Sequence, residues 1–296
     1  MQNIEDWRKA GRIAAEALHY GASLIKQGVK AVYVLDEIEK KIIELGGGIA
    51  FPAQLSCDHI AAHWCADPDD ELILKDQVIC LDVGAHVNGA IGDNALTIDL
   101  SGRYDKLVQA SREARDNAIK IAKPGTTLGE LGRVIKQTIE SHGYIPIHNL
   151  SGHGLDIYNI HCAPSVPNFD NEDDTPLEKG MVIAIEPFAT DGAGMIYETD
   201  RANLFSVVQK KPVRSPFARE LLKEIESYNG LPFTTRWLAR KIPLSKVNFA
   251  LKELLNAGVI RSYPPLPDRN KGIVSQAEHT IYICDEPEIL TIADTA

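Results

Sequence analysis

Two apolar runs in the chain lead straight into a carboxylate: Val78-Ile79-Cys80-Leu81 into Asp82, and Val182-Ile183-Ala184-Ile185 into Glu186. A buried strand does not leave an ionised acid bare, because an unpartnered charge in an apolar setting costs several kcal/mol. Such an acid is hydrogen-bonded, paired with a cation or bound to metal. Three further donors suggest which. Asp93 follows Asp82 by eleven residues, within Ile91-Gly92-Asp93-Asn94-Ala95. His153 sits between glycines in Ser151-Gly152-His153-Gly154, and Glu278 lies in Gln276-Ala277-Glu278-His279-Thr280. Singly, each has an ordinary explanation: a cap, a turn histidine, an exposed acid. A metal site explains all five together. Four carboxylates offset the four positive charges of two divalent ions. Oxygen donors favour Mn²⁺, and one imidazole admits Fe²⁺, Co²⁺ or Zn²⁺.

The elements that must position these residues are legible from periodicity. Ile4, Trp7, Ala14 and Leu18 form the stripe of a first helix. Leu35, Ile38, Ile42 and Leu45 mark a second helix, stopped by Gly46-Gly47-Gly48. Residues 49–76, with Pro52, Pro68 and an acidic cluster, read as irregular. Gly84, Asn88-Gly89 and Gly92 between Asp82 and Asp93 fit a hairpin that brings the two acids to one spot. Helices follow over about 104–122 and from a Thr127–Glu130 capping box to His142-Gly143. Residues 144–176 read as loop and short strand. The runs 78–82 and 182–186 echo each other, which suggests two similar halves that each deliver an acid to a shared centre.

The composition is that of a globular protein: 296 residues, 44% hydrophobic and 24% charged, with no apolar run long enough to span a bilayer. The N-terminus, with Glu5, Asp6 and Trp7, lacks the pattern of a signal peptide. Five scattered cysteines without CxxC spacing read as reduced thiols in a cytoplasmic enzyme. The net charge of −10 is uneven, since residues 206–270 hold twelve Lys or Arg against five Asp or Glu. That segment reads as a separate winged-helix-like module: helices over about 218–228, from Thr234, and from an N-cap at Ser245 to Gly258, then a strand at Val259-Ile260. The basic surface is either a solvated wall of the site or a weak contact for ribosomal RNA. The first reading is the simpler.

The motifs together resemble the methionine aminopeptidases. Asp82-Val83-Gly84-Ala85-His86 through Gly89, Ile91 and Asp93 is similar to their first metal motif. Tyr144-Ile145-Pro146 through Asn149-Leu150-Ser151-Gly152-His153-Gly154, with Ile160-His161 after it, is similar to the histidine motif. Ile185-Glu186-Pro187-Phe188 and Glu278-His279-Thr280 resemble the two glutamate motifs. An interruption of about sixty residues between the glutamates marks type II, and the lack of a long N-terminal extension resembles the archaeal form.

The resemblance implies an α/β (α+β) pita-bread fold of two pseudo-symmetric halves over residues 1–205 and 271–296, with 206–270 inserted. It implies two divalent ions, drawn from Co, Mn, Fe, Ni or Zn, held by Asp82, Asp93, His153, Glu186 and Glu278. Asp93 and Glu278 would bridge them. Glu186 would move a proton, His161 would steady the substrate carbonyl oxygen, and His63 would bond near the scissile amide. Phe51, Ile160, Phe188 and Tyr263 would surround the methionine side chain. The substrates would be nascent polypeptides and peptides with N-terminal Met and a small second residue. No membrane or specific DNA partner is implied. One departure from the family pattern is Cys65-Ala66-Asp67-Pro68 after His63-Trp64, where a threonine-proline is expected. A proline-directed peptidase of the same fold, and a non-catalytic binding protein on the same scaffold, are the alternatives.

Overall fold

The structure, a computed structural model, describes residues 3–293. The chain opens with α1 (Ile4–Leu24) and α2 (Ala31–Glu44). The Asn3 side chain accepts from the Glu5 N–H at the start of α1, and Glu5 and Asp6 place negative charge in its first turn. Three antiparallel strands follow in spatial order, β1 (Gly48–Cys57), β2 (Val78–Val87) and β3 (Ala90–Asp99). α1 packs on β2 and β3, and α2 packs on β1. Leu18, Leu35, Ile38, Leu55 and Leu81 are at the centre of that first core.

The hairpin between β2 and β3 turns on Asn88 (φ 52°) and Gly89 (φ 90°), the backbone of a type I′ turn. Both strands are ten residues long. Asp82 and Asp93 therefore lie inside strands, and Asp82 does not end the buried run as the sequence suggested. β1 also corrects the reading of 49–76 as irregular. Pro52 sits where the register of β1 against β2 slips, between Phe51 and Gln54. A bulge is one of the few places a strand tolerates proline, so Pro52 did not end the strand.

The second half repeats the arrangement with other elements. α3 (Asp105–Ile121) and α4 (Leu128–Ser141) pack together, and the Thr127–Glu130 capping box opens α4. Then come β4 (Ile145–Pro146), β5 (Ser151–Asp156), β6 (Asn159–Pro167), β7 (Val182–Ile185) and β8 (Phe188–Thr190). The segment 144–176, read as loop and short strand, thus holds a longer hairpin, β5–β6. Its glycines were misread as loop signals. A Cβ at Gly152 would stand 2.2 Å from the Ala184 oxygen, and one at Gly154 would stand 2.2 Å from the Ala163 oxygen. They are glycine because backbones approach closely there.

After β9 (Leu204–Val207), α5 (Pro216–Ile225), β10 (Phe233–Thr234), α6 (Thr235–Ala239), α7 (Leu244–Asn256) and β11 (Ile260–Tyr263) gather around their own apolar cluster, which includes Leu221, Phe233, Leu251 and Leu254. β9 is the middle strand between β10 and β11. Ser245 does not cap α7. Pro243 occupies the cap position and Ser245 lies in the first turn, because proline's fixed φ already suits a helix entry. The chain returns through β12 (Val274–Gln276), β13 (His279–Tyr282) and β14 (Glu288–Ile289). These complete a sheet ordered β12-β8-β4 and another ordered β14-β13-β7-β5-β6. No helix among the described residues is long and apolar enough to cross a membrane.

A buried ion pair ties α6 to α2. Arg236 and Glu39 are each 3% exposed. Arg236 Nη1 and Nη2 donate to the Glu39 carboxylate at 2.9 and 2.6 Å, and Trp237 Nε1 donates to it at 2.8 Å. Asp36 also accepts from Arg236. Removing one member of such a pair leaves a bare buried charge. Glu39→Ala is therefore expected to cost about 3–5 kcal/mol in denaturant unfolding. A loss typical of an exposed pair, below about 1 kcal/mol, would contradict this.

Candidate metal centre and active site

The hairpin register builds the first part of the site. Asp93 lies opposite Gly84, and Asp82 lies opposite Ala95. The two acids are therefore diagonal neighbours on one face of the β2–β3 pair. Gly84 leaves that face open to the Phe51 ring, since a Cβ there would meet Phe51 Cε1 at 2.0 Å.

The second half supplies the rest. His153 on β5 pairs with Ala184 on β7. Ile185 at the end of β7 pairs with His279 at the start of β13. Glu186, one residue after Ile185, and Glu278, one residue before His279, thus leave the antiparallel pair side by side. Two threonines then lace the halves together. Thr280 Oγ1 accepts from the Asp93 N–H and donates to the Asp93 carbonyl, both at 2.8 Å. Thr97 Oγ1 donates to the Gln276 carbonyl at 2.7 Å and accepts from its N–H at 2.8 Å. The Glu278 N–H donates to the Ala95 carbonyl at 2.9 Å.

The five donors line one cavity of about 230 Å³. Ligand atoms of Asp93, His153 and Glu278 lie within 4.8 Å of one another. His153 Nε2 is 3.4 Å from Glu186 Oε1 and 3.8 Å from Asp93 Oδ2. Asp82 Oδ1 is buried without a hydrogen-bond partner among the described residues. Burial pushes Asp82 up to about 7. Asp93, Glu186 and Glu278 are held well above the usual carboxylate range, first by burial and then by a neighbouring carboxylate, Asp82 for Asp93 and Asp93 for the two glutamates. Burial, and then His161, pushes His153 down to about 3, so its imidazole is neutral, the form that ligates metals.

No Lys or Arg lines this cavity. Four carboxylates crowded together with an orphaned oxygen need positive charge from outside the chain. A divalent cation with oxygen and imidazole ligands fits that donor set.

His63, His161, Phe51, Ile160, Phe188 and Tyr263 line the same cavity. His63 takes a left-handed backbone (φ 66°), and Gln54 Oε1 accepts from its N–H at 2.7 Å. The ring meets Tyr263 edge-on at 5.6 Å, and its Nδ1 is buried with no partner among the described residues. His161 stands at the mouth, edge-on to His153 at 4.3 Å. Desolvation pushes both histidines down to about 4, aided by His161 for His63 and by Arg261 for His161. Sequence reasoning missed Gln54, Thr97, Gln276 and Thr280. Gln276 Nε2 donates to Glu186 Oε2 at 3.3 Å. Its spacing of two from Glu278 was the available signal; the threonines gave none.

The model of metallopeptidase family M24 matches residues 5–214. The methionine aminopeptidase of Methanocaldococcus jannaschii is 43% identical over 287 residues, covering 95% of this chain and 97% of that protein. The chain belongs to metallopeptidase family M24, and within it to the methionine aminopeptidases. The enzyme of Thermococcus onnurineus is also 43% identical, over 98% of this chain and all of its own length. These relatives are archaeal, the type II branch of the family. The crystal structure of the methionine aminopeptidase from Thermotoga maritima superposes with a TM-score of 0.72 at 24% identity. It covers 97% of this chain and 96% of its own, and shows the shared pita-bread fold.

The aminopeptidase thus removes N-terminal methionine and depends on divalent metal. The reading as a proline-directed peptidase gives way, because the relatives that are 43% identical over nearly all of both chains are methionine aminopeptidases.

The lacing threonine offers a test. Thr280→Val keeps the shape but removes both bonds to the Asp93 backbone. The variant of the aminopeptidase is expected to fold and to bind Mn²⁺ or Co²⁺ about tenfold or more weakly in equilibrium dialysis, as for other supports of a ligand. Unchanged affinity would show that Asp93 is positioned without it.

Proposed function

We propose that Asp82, Asp93, His153, Glu186 and Glu278 would together hold two divalent ions. The observation that carries this is the convergence of five donors in a cavity lined by no Lys or Arg. Ions bound there supply Lewis acidity and lower the pKa of water towards neutrality. The protein's own groups do the rest.

A peptide enters with its methionine side chain among Phe51, Ile160, Phe188 and Tyr263, which exclude water around the thioether. Glu186 takes a proton at its carboxylate from the attacking water and passes it to the leaving amine. His161, neutral at pH 7, donates a hydrogen bond to the carbonyl oxygen as that oxygen gains charge. His63 orients the scissile amide from the wall shared with Tyr263. As in the family it resembles, a small second residue is favoured. Residues 206–270 act as an inserted module whose Tyr263 completes the wall. The physiological substrates are nascent chains in the cytoplasm, and the module's excess of basic residues suits weak contact with the ribosome.

Two variants separate these roles. Asp93→Ala is expected to lose bound metal and nearly all hydrolysis of Met-Ala-Ser, with its circular dichroism unchanged. Activity within about tenfold of the parent would reject Asp93 as a ligand. His161→Ala is expected to keep its metal and lose about 10²–10³ in kcat. Loss of metal from that variant would mean that His161 supports the ligands instead.

A further inference from the structure

A second cleft, of about 290 Å³, opens beside the catalytic cavity. Ile160, His161, Pro232 and Tyr263 line both, so the two spaces adjoin at these side chains. A peptide whose methionine lies inward and whose chain leaves past His161 runs into this cleft. Among its lining residues stands one permanent charge, Arg261, and no carboxylate.

Arg261 is held in place from one side only. It projects from β11, opposite Ser206 on β9. Its guanidinium carbon lies 4.7 Å from the centre of the Tyr263 ring, and its Nε donates to Tyr263 Oη at 2.5 Å. Tyr263 Oη is itself bonded to Ser206 Oγ at 2.9 Å. Among the described residues neither Nη atom has a hydrogen-bond or ion-pair partner. A guanidinium packed on an aromatic face, with its outer donors free, is pre-organised for a carboxylate.

We propose that Arg261 is a specificity residue that favours substrates with an acidic side chain just beyond their second position. The cation is unopposed in its cleft although the chain as a whole carries −10. An acidic substrate gains a partner there, and a basic one meets like charge. The proposal rests on the substrate direction given above.

The test uses metal-loaded full-length protein and peptides Met-Ala-X-X-X-Ala, with Asp, Ser or Lys placed singly at the third, fourth or fifth position. At low ionic strength one position should show Asp preferred over Lys by about three- to tenfold in kcat/KM, mainly through KM. The preference should shrink in 0.5 M salt. Arg261→Gln should erase it, Arg261→Glu should invert it, and Arg261→Lys should keep part of it. The Ser peptides report on the catalytic site itself: if the variants cleave them with unchanged kcat and hold their metal, the site reading stands apart from this one. An Asp-to-Lys ratio that stays the same in the parent and Arg261→Gln, or no preference at any position in the parent, would overturn the proposal.

Discussion

The constraint on which the rest depends is electrostatic. Four carboxylates share one cavity, and among the described residues no Lys or Arg lines it to neutralise them. Left alone they repel one another and lose hydration, which is why Asp93, Glu186 and Glu278 are held so far above their usual range. A fold that keeps them together stores a demand for cations. The metal dependence of the family answers that demand, and the orphaned oxygen of Asp82 shows it at a single atom.

Keeping the acids together is the work of the two halves. A type I′ turn fixes the β2–β3 register, and that register sets Asp82 and Asp93 on one face. The β7–β13 pairing sets Glu186 beside Glu278. Neither half holds all four acids. Thr97 and Thr280 join them by hydrogen bonds to backbone rather than to the ligands, so the carboxylates stay free for metal.

The segment between β9 and β11 is tied into this centre from outside. Arg236 and Trp237 anchor it on Glu39 of α2. Its last strand carries Tyr263 to the His63 ring and Arg261 to the mouth. Wall and entrance of one cavity are thus built in part by a segment that gathers around an apolar cluster of its own, with Ile49 of β1 packed against it. Such a segment can vary in charge at the entrance without disturbing the donors within.

The sequence by itself determined which acids follow apolar runs, that Asn88-Gly89 turns a hairpin, that Thr127 and Glu130 open a helix, and that residues 206–270 are basic in an acidic chain. These are local facts, set by burial, turn geometry and capping over a few residues. It misjudged β1 and the β5–β6 hairpin because Pro52, Gly152 and Gly154 look like breakers until the bulge and the close backbone contacts are seen. Only the tertiary structure decided that Thr97, Thr280 and Gln276 support the site, and that Arg261 stands beside it with no ion-pair partner among the described residues. Those roles arise between residues up to 187 positions apart, as Asp93 and Thr280 are. Local pattern carries no trace of a contact made only when two halves close on each other.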